Sequence, residues 1–239
     1  MSGSPEHFPR GLEAVLAERM QQYPAVIVQG PRSVGKTTLL HNVAYHAKVP
    51  VFDLDNPSTR ALVAEDPNLF ASGPRPVLID EYQKVPVILD AIKAELNQNS
   101  GPGQFALSGS ASFDTLPRLA QSLTGRLHLL TLYPLAQSEL ERSSANIVTT
   151  LFSSPDSLRS PLPTSTTREE YAQRIVWGGF PIALSISSAP TRNRWFDDYV
   201  RLTVERDAVE IRAMPRTDRL TRLLYRLAAQ TAQVLNVAT

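Results

Sequence analysis

The chain contains no cysteine, so disulfide scaffolds and thiolate metal sites are excluded. It has no apolar run approaching the roughly 18 to 20 residues that a membrane-spanning helix needs. The first residues interleave Glu6, Arg10, Glu13, Glu18 and Arg19 with apolar ones, which is not a signal-peptide core. A cytoplasmic protein with no membrane partner is therefore expected. Charge of one sign is also missing. Lys and Arg number 24 against 23 Asp and Glu, a formal net charge of +1. A uniformly basic nucleic-acid binder is excluded, while a local basic face stays open. What is present is apolar residue: 42% of 239 residues, ample for a packed core. The length suits one large domain, or one domain with a smaller appendage.

Strand and helix signals alternate over the first part. A helix is expected from about Arg10 to Gln22, with Leu12, Val15, Leu16 and Met20 on one face. Ala25 to Val28 is short, apolar and β-branched, and reads as a buried strand. Lys36 to Ala47 reads as a helix, Val49 to Leu54 as a strand, and Pro57 to Glu65 as a helix. Pro76 to Ile79, Gln104 to Leu107 and Leu127 to Leu132 are further strands, with helices at Val87 to Leu96 and Leu116 to Leu123. Such alternation predicts an α/β fold: a mostly parallel five-stranded sheet sandwiched by helices. Ser143 to Thr167 is crowded with Ser, Thr and Pro and reads as a loop or linker. Beyond it only helices are expected: Arg168 to Val176, Thr191 to Arg212 and Arg216 to Ala232. The expected organisation is thus 1–142, 143–167 and 168–239, the last a smaller all-helical part.

Gly30-Pro31-Arg32-Ser33-Val34-Gly35-Lys36-Thr37 has two glycines at the spacing of a phosphate loop, followed by Lys and Thr. The chemistry requires these types. Glycines let the backbone fold around an anion with its N–H groups inward, and the helix that begins here adds its positive end. Lys36 would reach the β- and γ-phosphates, and the Thr37 hydroxyl would bind Mg²⁺. Thr38 extends the loop into the helix. A plain glycine turn is the alternative; the buried strand before the loop and the helix after it argue for the phosphate loop.

Asp80 and Glu81 end an apolar strand. Alone they would read as the start of a turn. With a phosphate loop upstream, Asp80 reads as a Mg²⁺ ligand and Glu81 as the base that activates water. Phe105-Ala106-Leu107-Ser108-Gly109-Ser110 is a strand ending in hydroxyls. Ser108 or Ser110 is placed to sense the γ-phosphate or position the water, unless the segment is a plain Ser-Gly turn. Arg126, after Leu123-Thr124-Gly125, is the candidate for an arginine supplied to a neighbouring subunit, and Arg32, inside the loop, is a second candidate for phosphate contact. The arginines between Arg192 and Arg226 are interleaved with Asp197, Asp198, Glu205, Asp207, Glu210 and Asp218. Mixed charge without an aromatic ladder marks a solvated or packing face rather than a nucleic-acid surface. Trp177 and Trp195 read as core anchors.

Several short motifs in order carry a resemblance. They are the phosphate loop through Leu40, Leu78-Ile79-Asp80-Glu81-Tyr82-Gln83-Lys84-Val85-Pro86, Leu107 to Ser112, and Leu123 to Arg126. Leu132-Tyr133-Pro134-Leu135, Gly178-Gly179-Phe180-Pro181 and Glu205-Arg206-Asp207 follow. Together they resemble the prokaryotic AAA-type P-loop ATPases, usually followed by a C-terminal domain of unknown function. The resemblance implies an AAA+-like domain with a helical lid, binding ATP and Mg²⁺. It assigns Lys36 and Thr37 to phosphate and metal, Asp80 and Glu81 to the acidic pair, Ser108 to the polar sensor and Arg126 to the finger. The family's sensor usually reads Thr-Gly-Ser; Ser108-Gly109-Ser110 keeps the hydroxyl. Family members usually run on through a winged-helix-like segment, whereas this chain stops at Thr239, so a fragment or truncation is expected. Preference for ATP over GTP is implied by the resemblance, and no Asn-Lys-x-Asp motif contradicts it. The expected function is Mg²⁺-dependent ATP hydrolysis coupled to a homo-oligomer or protein partner. The alternatives are a nucleotide-dependent switch with little turnover and a DNA-associated ATPase.

Overall fold

The computed structural model describes residues 8–110, 123, 125–143, 147–159, 165–210 and 217–233. The sheet holds five strands: β1 Ala25–Gln29, β2 Val51–Asp53, β3 Val77–Asp80, β4 Phe105–Gly109 and β5 Leu127–Thr131. All pairings are parallel, in the order β2-β3-β4-β1-β5. The strand β4 therefore lies between β1, which feeds the phosphate loop, and β3, which ends in the acidic pair. Register sets Asp80 beside Ser108, and Ser108 beside Val28.

β1, β3 and β4 are buried almost throughout, which is why they read as unbroken apolar runs. Alternate residues feed two layers. Ile27, Ile79, Phe105 and Leu107 join Ile88, Leu89, Ile92 and Leu96 on one face. Those last four lie on helix α5, Ile88–Gln98, at helical spacing. On the other face Val26 and Val28 meet Leu16 of α1 (Gly11–Met20) and Leu39 of α2 (Lys36–Ala47), while Leu40 meets Leu78 and Ala106.

The expected elements form with shifts at their ends. β2 is shorter than expected at both sides. Val49 donates its N–H to Ala44 at 3.2 Å and so closes α2 instead of starting a strand. The Asp53 carboxylate accepts from the N–H of Asp55 at 2.8 Å and turns the chain. Asn56 then caps α3, Pro57–Glu65, through the N–H groups of Ser58 and Thr59. A short helix not expected from the sequence, α4 Pro67–Ala71, is capped by Asp66. Of the helix expected over 116–123, only Leu123 is among the described residues. Within the Ser/Thr/Pro-rich stretch expected to be loop, Ile147–Ser153 is helical and Pro155–Arg159 forms a 3₁₀ turn. Ile147, Val148, Leu151 and Phe152 recur at helical spacing there, a pattern masked by the surrounding hydroxyl residues.

After α6, Gln137–Leu140, and α7, Ile147–Ser153, the chain forms α8, Arg168–Trp177. A reciprocal pair of bonds between Thr167 and Glu170 caps α8. A short helix α9, Pro181–Ser185, follows. The chain divides into two compact units between Leu184 and Ser185. The second contains α10, Ala189–Glu210, and α11, Thr217–Ala229. On α10, Trp195 stacks on Tyr199 one turn away, half-buried rather than a fully buried anchor. Arg201 pairs with Asp198 in solvent on the same helix. The side chains of 205–210 and 217–219, and residues 234–239, lie outside the described residues. No described helix is long and apolar enough to cross a membrane.

Candidate functional site

β1 ends at Gln29 and the chain turns through Gly30 to Gly35 into α2. Two glycines make this turn possible. Gly30 passes so close to the β5 edge that a Cβ there would sit 2.1 Å from the Leu132 carbonyl oxygen. Gly35 has φ of 100°, in the region that favours glycine, and stands at the N-cap of α2. No side chain caps this helix and its first turn carries no acid. Its leading N–H groups are thus positioned for an external anion, with the helix dipole behind them.

Lys36 is buried, 6% exposed, and its ammonium donates to the carbonyls of Gly30 at 3.0 Å and Pro31 at 2.8 Å. Burial lowers its pKa below the ordinary lysine value. Glu81 and then Asp80 pull it back up, and Arg32 adds to the lowering. Arg32 from the same loop and two carboxylates from the end of β3 thus lie within electrostatic reach of Lys36. A pocket of about 470 Å³ opens here. Arg10, Arg32 to Thr38 and Glu81 line it, together with the apolar side chains of Phe8, Leu135, Pro181 and Ile182.

Asp80 is 2% exposed. Its Oδ1 accepts from the Glu81 N–H at 3.0 Å and from the Ser108 hydroxyl. Ser108, expected as the polar sensor, is fully buried, and its hydroxyl donates to Asp80. Ser110, two residues on, is the hydroxyl that faces the phosphate loop: Arg32 Nη2 donates to its Oγ at 3.5 Å.

Arg126 is not brought to this pocket. It precedes β5 at the level of Ala25, whose N–H donates to the Arg126 carbonyl at 3.2 Å. Its guanidinium donates to Asn97 at 2.5 Å. The phosphate loop begins a whole strand further along, about 16 Å at the usual rise of roughly 3.3 Å per residue.

Sequence reasoning missed the support beneath the loop. Arg10 donates to the Val34 carbonyl at 2.6 Å, to the Tyr133 carbonyl at 2.6 Å and to Glu139 at 3.1 Å. Glu139 also accepts from the N–H groups of Gly11 at 2.7 Å and Ala136 at 2.9 Å. Burial raises the Glu139 pKa, but these N–H groups and Arg10 outweigh it and hold it below the usual glutamate value. The N–H of Leu135 donates to the Gly179 carbonyl at 2.7 Å, and Leu135, Pro181 and Ile182 all line the pocket. The Leu-Tyr-Pro-Leu and Gly-Gly-Phe-Pro motifs carry no geometric signal of this, since their partners lie far apart in sequence.

The residues fit a nucleotide with Mg²⁺. They supply N–H donors at a helix start, a buried ammonium, a hydroxyl at Thr37 and a buried carboxylate already oriented by two donors.

Residues 168–239 match a family described as a domain of unknown function (DUF8612). Uncharacterised proteins of Mycobacterium bovis and Mycobacterium tuberculosis are each 29% identical over 205 residues, 84% of this chain. The chain spans 40% of the length of these relatives. Among solved structures, a Walker-type ATPase of Pyrococcus abyssi covers 92% of the chain, and the chain covers 77% of it, with a TM-score of 0.44 at 16% identity. AMPPCP-bound DnaA from Aquifex aeolicus covers 91% of the chain, and the chain covers 77% of it, with a TM-score of 0.36 at 12% identity. Residues 22–141 match the family model described as an AAA domain, and the chain belongs to that family of nucleotide-binding P-loop proteins.

Proposed function

We propose that the chain binds ATP with Mg²⁺ and hydrolyses its β–γ phosphoanhydride bond. The observation that carries this reading is the pocket lined by Lys36, the start of α2 and Glu81, with the buried Asp80 beside it. The N–H groups from Ser33 to Thr38 and the Lys36 ammonium hold the phosphates. The apolar lining residues Phe8, Leu135, Pro181 and Ile182 take the base. Thr37 and Asp80 would hold Mg²⁺, which when bound neutralises charge on the phosphate oxygens.

Glu81 takes the proton from a water whose oxygen attacks the γ-phosphorus. The bond from that phosphorus to the β–γ bridging oxygen breaks, and the electron pair leaves with ADP. Ser108 keeps the Asp80 carboxylate turned. Arg126 lies too far along the sheet for its own pocket, so a finger role requires a neighbouring copy. The mixed charge on α10 gives no reason to propose nucleic acid as the partner.

The test is steady-state ATP hydrolysis over a series of protein concentrations, with Glu81→Gln beside the wild type. Specific activity should rise with concentration and vanish in the variant. Tight ATP binding with no turnover at any concentration would replace this reading with that of a nucleotide-dependent switch.

A further inference from the structure

One side chain beside the acidic pair makes hydrogen bonds that have no part in the hydrolysis scheme. Gln83 donates through Nε2 to Glu81 Oε2, and to Ser110 Oγ at 3.0 Å. The same Ser110 hydroxyl oxygen accepts from Arg32 of the phosphate loop at 3.5 Å. A continuous chain of polar contacts thus runs from the loop through Ser110 and Gln83 to the Glu81 carboxylate.

The backbone is arranged for this contact. Glu81 has φ of 55° and ψ of 42°, a left-handed conformation that few non-glycine residues adopt. It tightens the chain into the 3₁₀ turn Tyr82–Lys84. Tyr82 enters the core, 1% exposed, and Gln83 folds back over β4. The crossing passes over Gly109. A Cβ there would lie 2.3 Å from Gln83 Oε1 and 2.8 Å from Tyr82 Cε1. The three residues Ser108-Gly109-Ser110 therefore act differently. Ser108 turns Asp80, Gly109 leaves room for Gln83, and Ser110 accepts from the Gln83 amide.

The amide orientation is set by charge. Turned over, Gln83 would aim its carbonyl at the Glu81 carboxylate. As placed, Nε2 donates to both oxygens, while Oε1 is buried with no hydrogen-bond partner among the described residues.

We propose that Gln83 is a positioning residue for Glu81. Its amide fixes Oε2 and ties it to Ser110, so that Oε1 is presented to the attacking water in an orientation coupled to the phosphate loop. This rests on the hydrolysis reading above. A free glutamate has three side-chain torsions, and misplacing a reacting group by about 1 Å costs roughly 100-fold in rate. Gln83 removes that freedom without touching ATP.

The test compares wild type with Gln83→Ala, Gln83→Glu, Ser110→Ala and the Gln83→Ala/Ser110→Ala double variant. Steady-state hydrolysis is measured beside the affinity for a β,γ-non-hydrolysable ATP analogue with Mg²⁺, and thermal melting. In Gln83→Ala, kcat should fall by about 10- to 100-fold, the range for partners that orient a reacting ligand. Analogue affinity should stay within about twofold, since Gln83 makes no phosphate contact in this scheme. Gln83→Glu keeps the shape but loses the donor, and should fall at least as far. The double variant should be no slower than the slower single, because the two residues share one network. Wild-type kcat in Gln83→Ala or Gln83→Glu, affinity falling in step with kcat, or additive losses would overturn the proposal and leave hydrolysis standing. A wild-type chain without turnover would overturn the hydrolysis reading and this role with it.

Discussion

The Ser108 hydroxyl donates to Asp80 Oδ1 across the β3–β4 boundary, at the register position where β3 ends. Both groups are buried, so the bond turns a carboxylate that has little water to compete for it. Ser108→Ala should raise the Mg²⁺ concentration needed for half-maximal turnover by about 10-fold, the lower end for lost partners of metal ligands. Ser108→Thr keeps the hydroxyl and should stay near wild type in that respect. A Mg²⁺ titration of turnover decides it: an unchanged midpoint in the alanine variant would mean that Asp80 does not hold the metal.

Lys36 is expected to be needed for function and not for folding. Lys36→Ala should lower turnover by about 100-fold or more, as for loss of one preorganised transition-state donor. Its depressed pKa means that the unfolded chain binds the lysine proton more tightly than the folded one. The charged side chain therefore disfavours the folded state throughout neutral pH. Against that stand its two bonds to the carbonyls of Gly30 and Pro31, worth about 1 kcal/mol each. The opposed terms should leave the ligand-free melting temperature within about 3 °C of wild type, at roughly 2–4 °C per kcal/mol for a chain of this size. Calorimetry without nucleotide checks this; a large drop would assign Lys36 to the scaffold.

The legible parts of the fold are those whose causes are local. Ala25 to Val28 and Val77 to Ile79 are apolar, β-branched and flanked by turn residues, and their burial on both faces leaves no other reading. The phosphate loop is legible for the same reason, since its eight residues are consecutive in the sequence. Strand order is not legible. It depends on where each crossover lands, and it is the insertion of β4 between β1 and β3 that sends Ser108 to Asp80 and Ser110 to the loop. Gln83 stands within a recognisable motif, yet its partner Ser110 is 27 positions away. Arg10 and Glu139 are 129 apart. Polar contacts over such separations leave no periodicity to read.

The Arg10–Glu139 contact should make the pocket floor acid-sensitive. The folded Glu139 pKa lies below its unfolded value, so the stability it contributes is present above about 4.5 and is lost as pH falls through the lower folded value. Glu139→Gln should flatten stability across that window while changing it least at pH below it. Because Arg10 bonds both Val34 and Tyr133, the variant should also weaken nucleotide binding at neutral pH, by about 3- to 10-fold for one partly exposed charge-assisted bond. Urea unfolding from about pH 3 to 7, with and without nucleotide, measures both. Parallel pH profiles for wild type and variant would show that the contact does not anchor the floor.

Arg126 provides the test of assembly. It sits at the opposite end of β1 from the phosphate loop, held by Asn97, so any contact with transferring phosphate must come from another copy. Lys36→Ala retains Arg126 but lacks a working pocket. Arg126→Ala retains the pocket but lacks the finger. Each variant alone should be nearly inactive, since such an arginine is worth about 10³ to 10⁵ in rate where it operates. Mixed, they should form interfaces that pair an intact pocket with an intact arginine, and hydrolysis should rise well above the sum of the two. The rise should depend on total protein concentration and saturate as mixed assemblies form. If the mixture only equals the sum while Arg126→Ala retains wild-type turnover, Arg126 is a surface residue bonded to Asn97 and the pocket works without it.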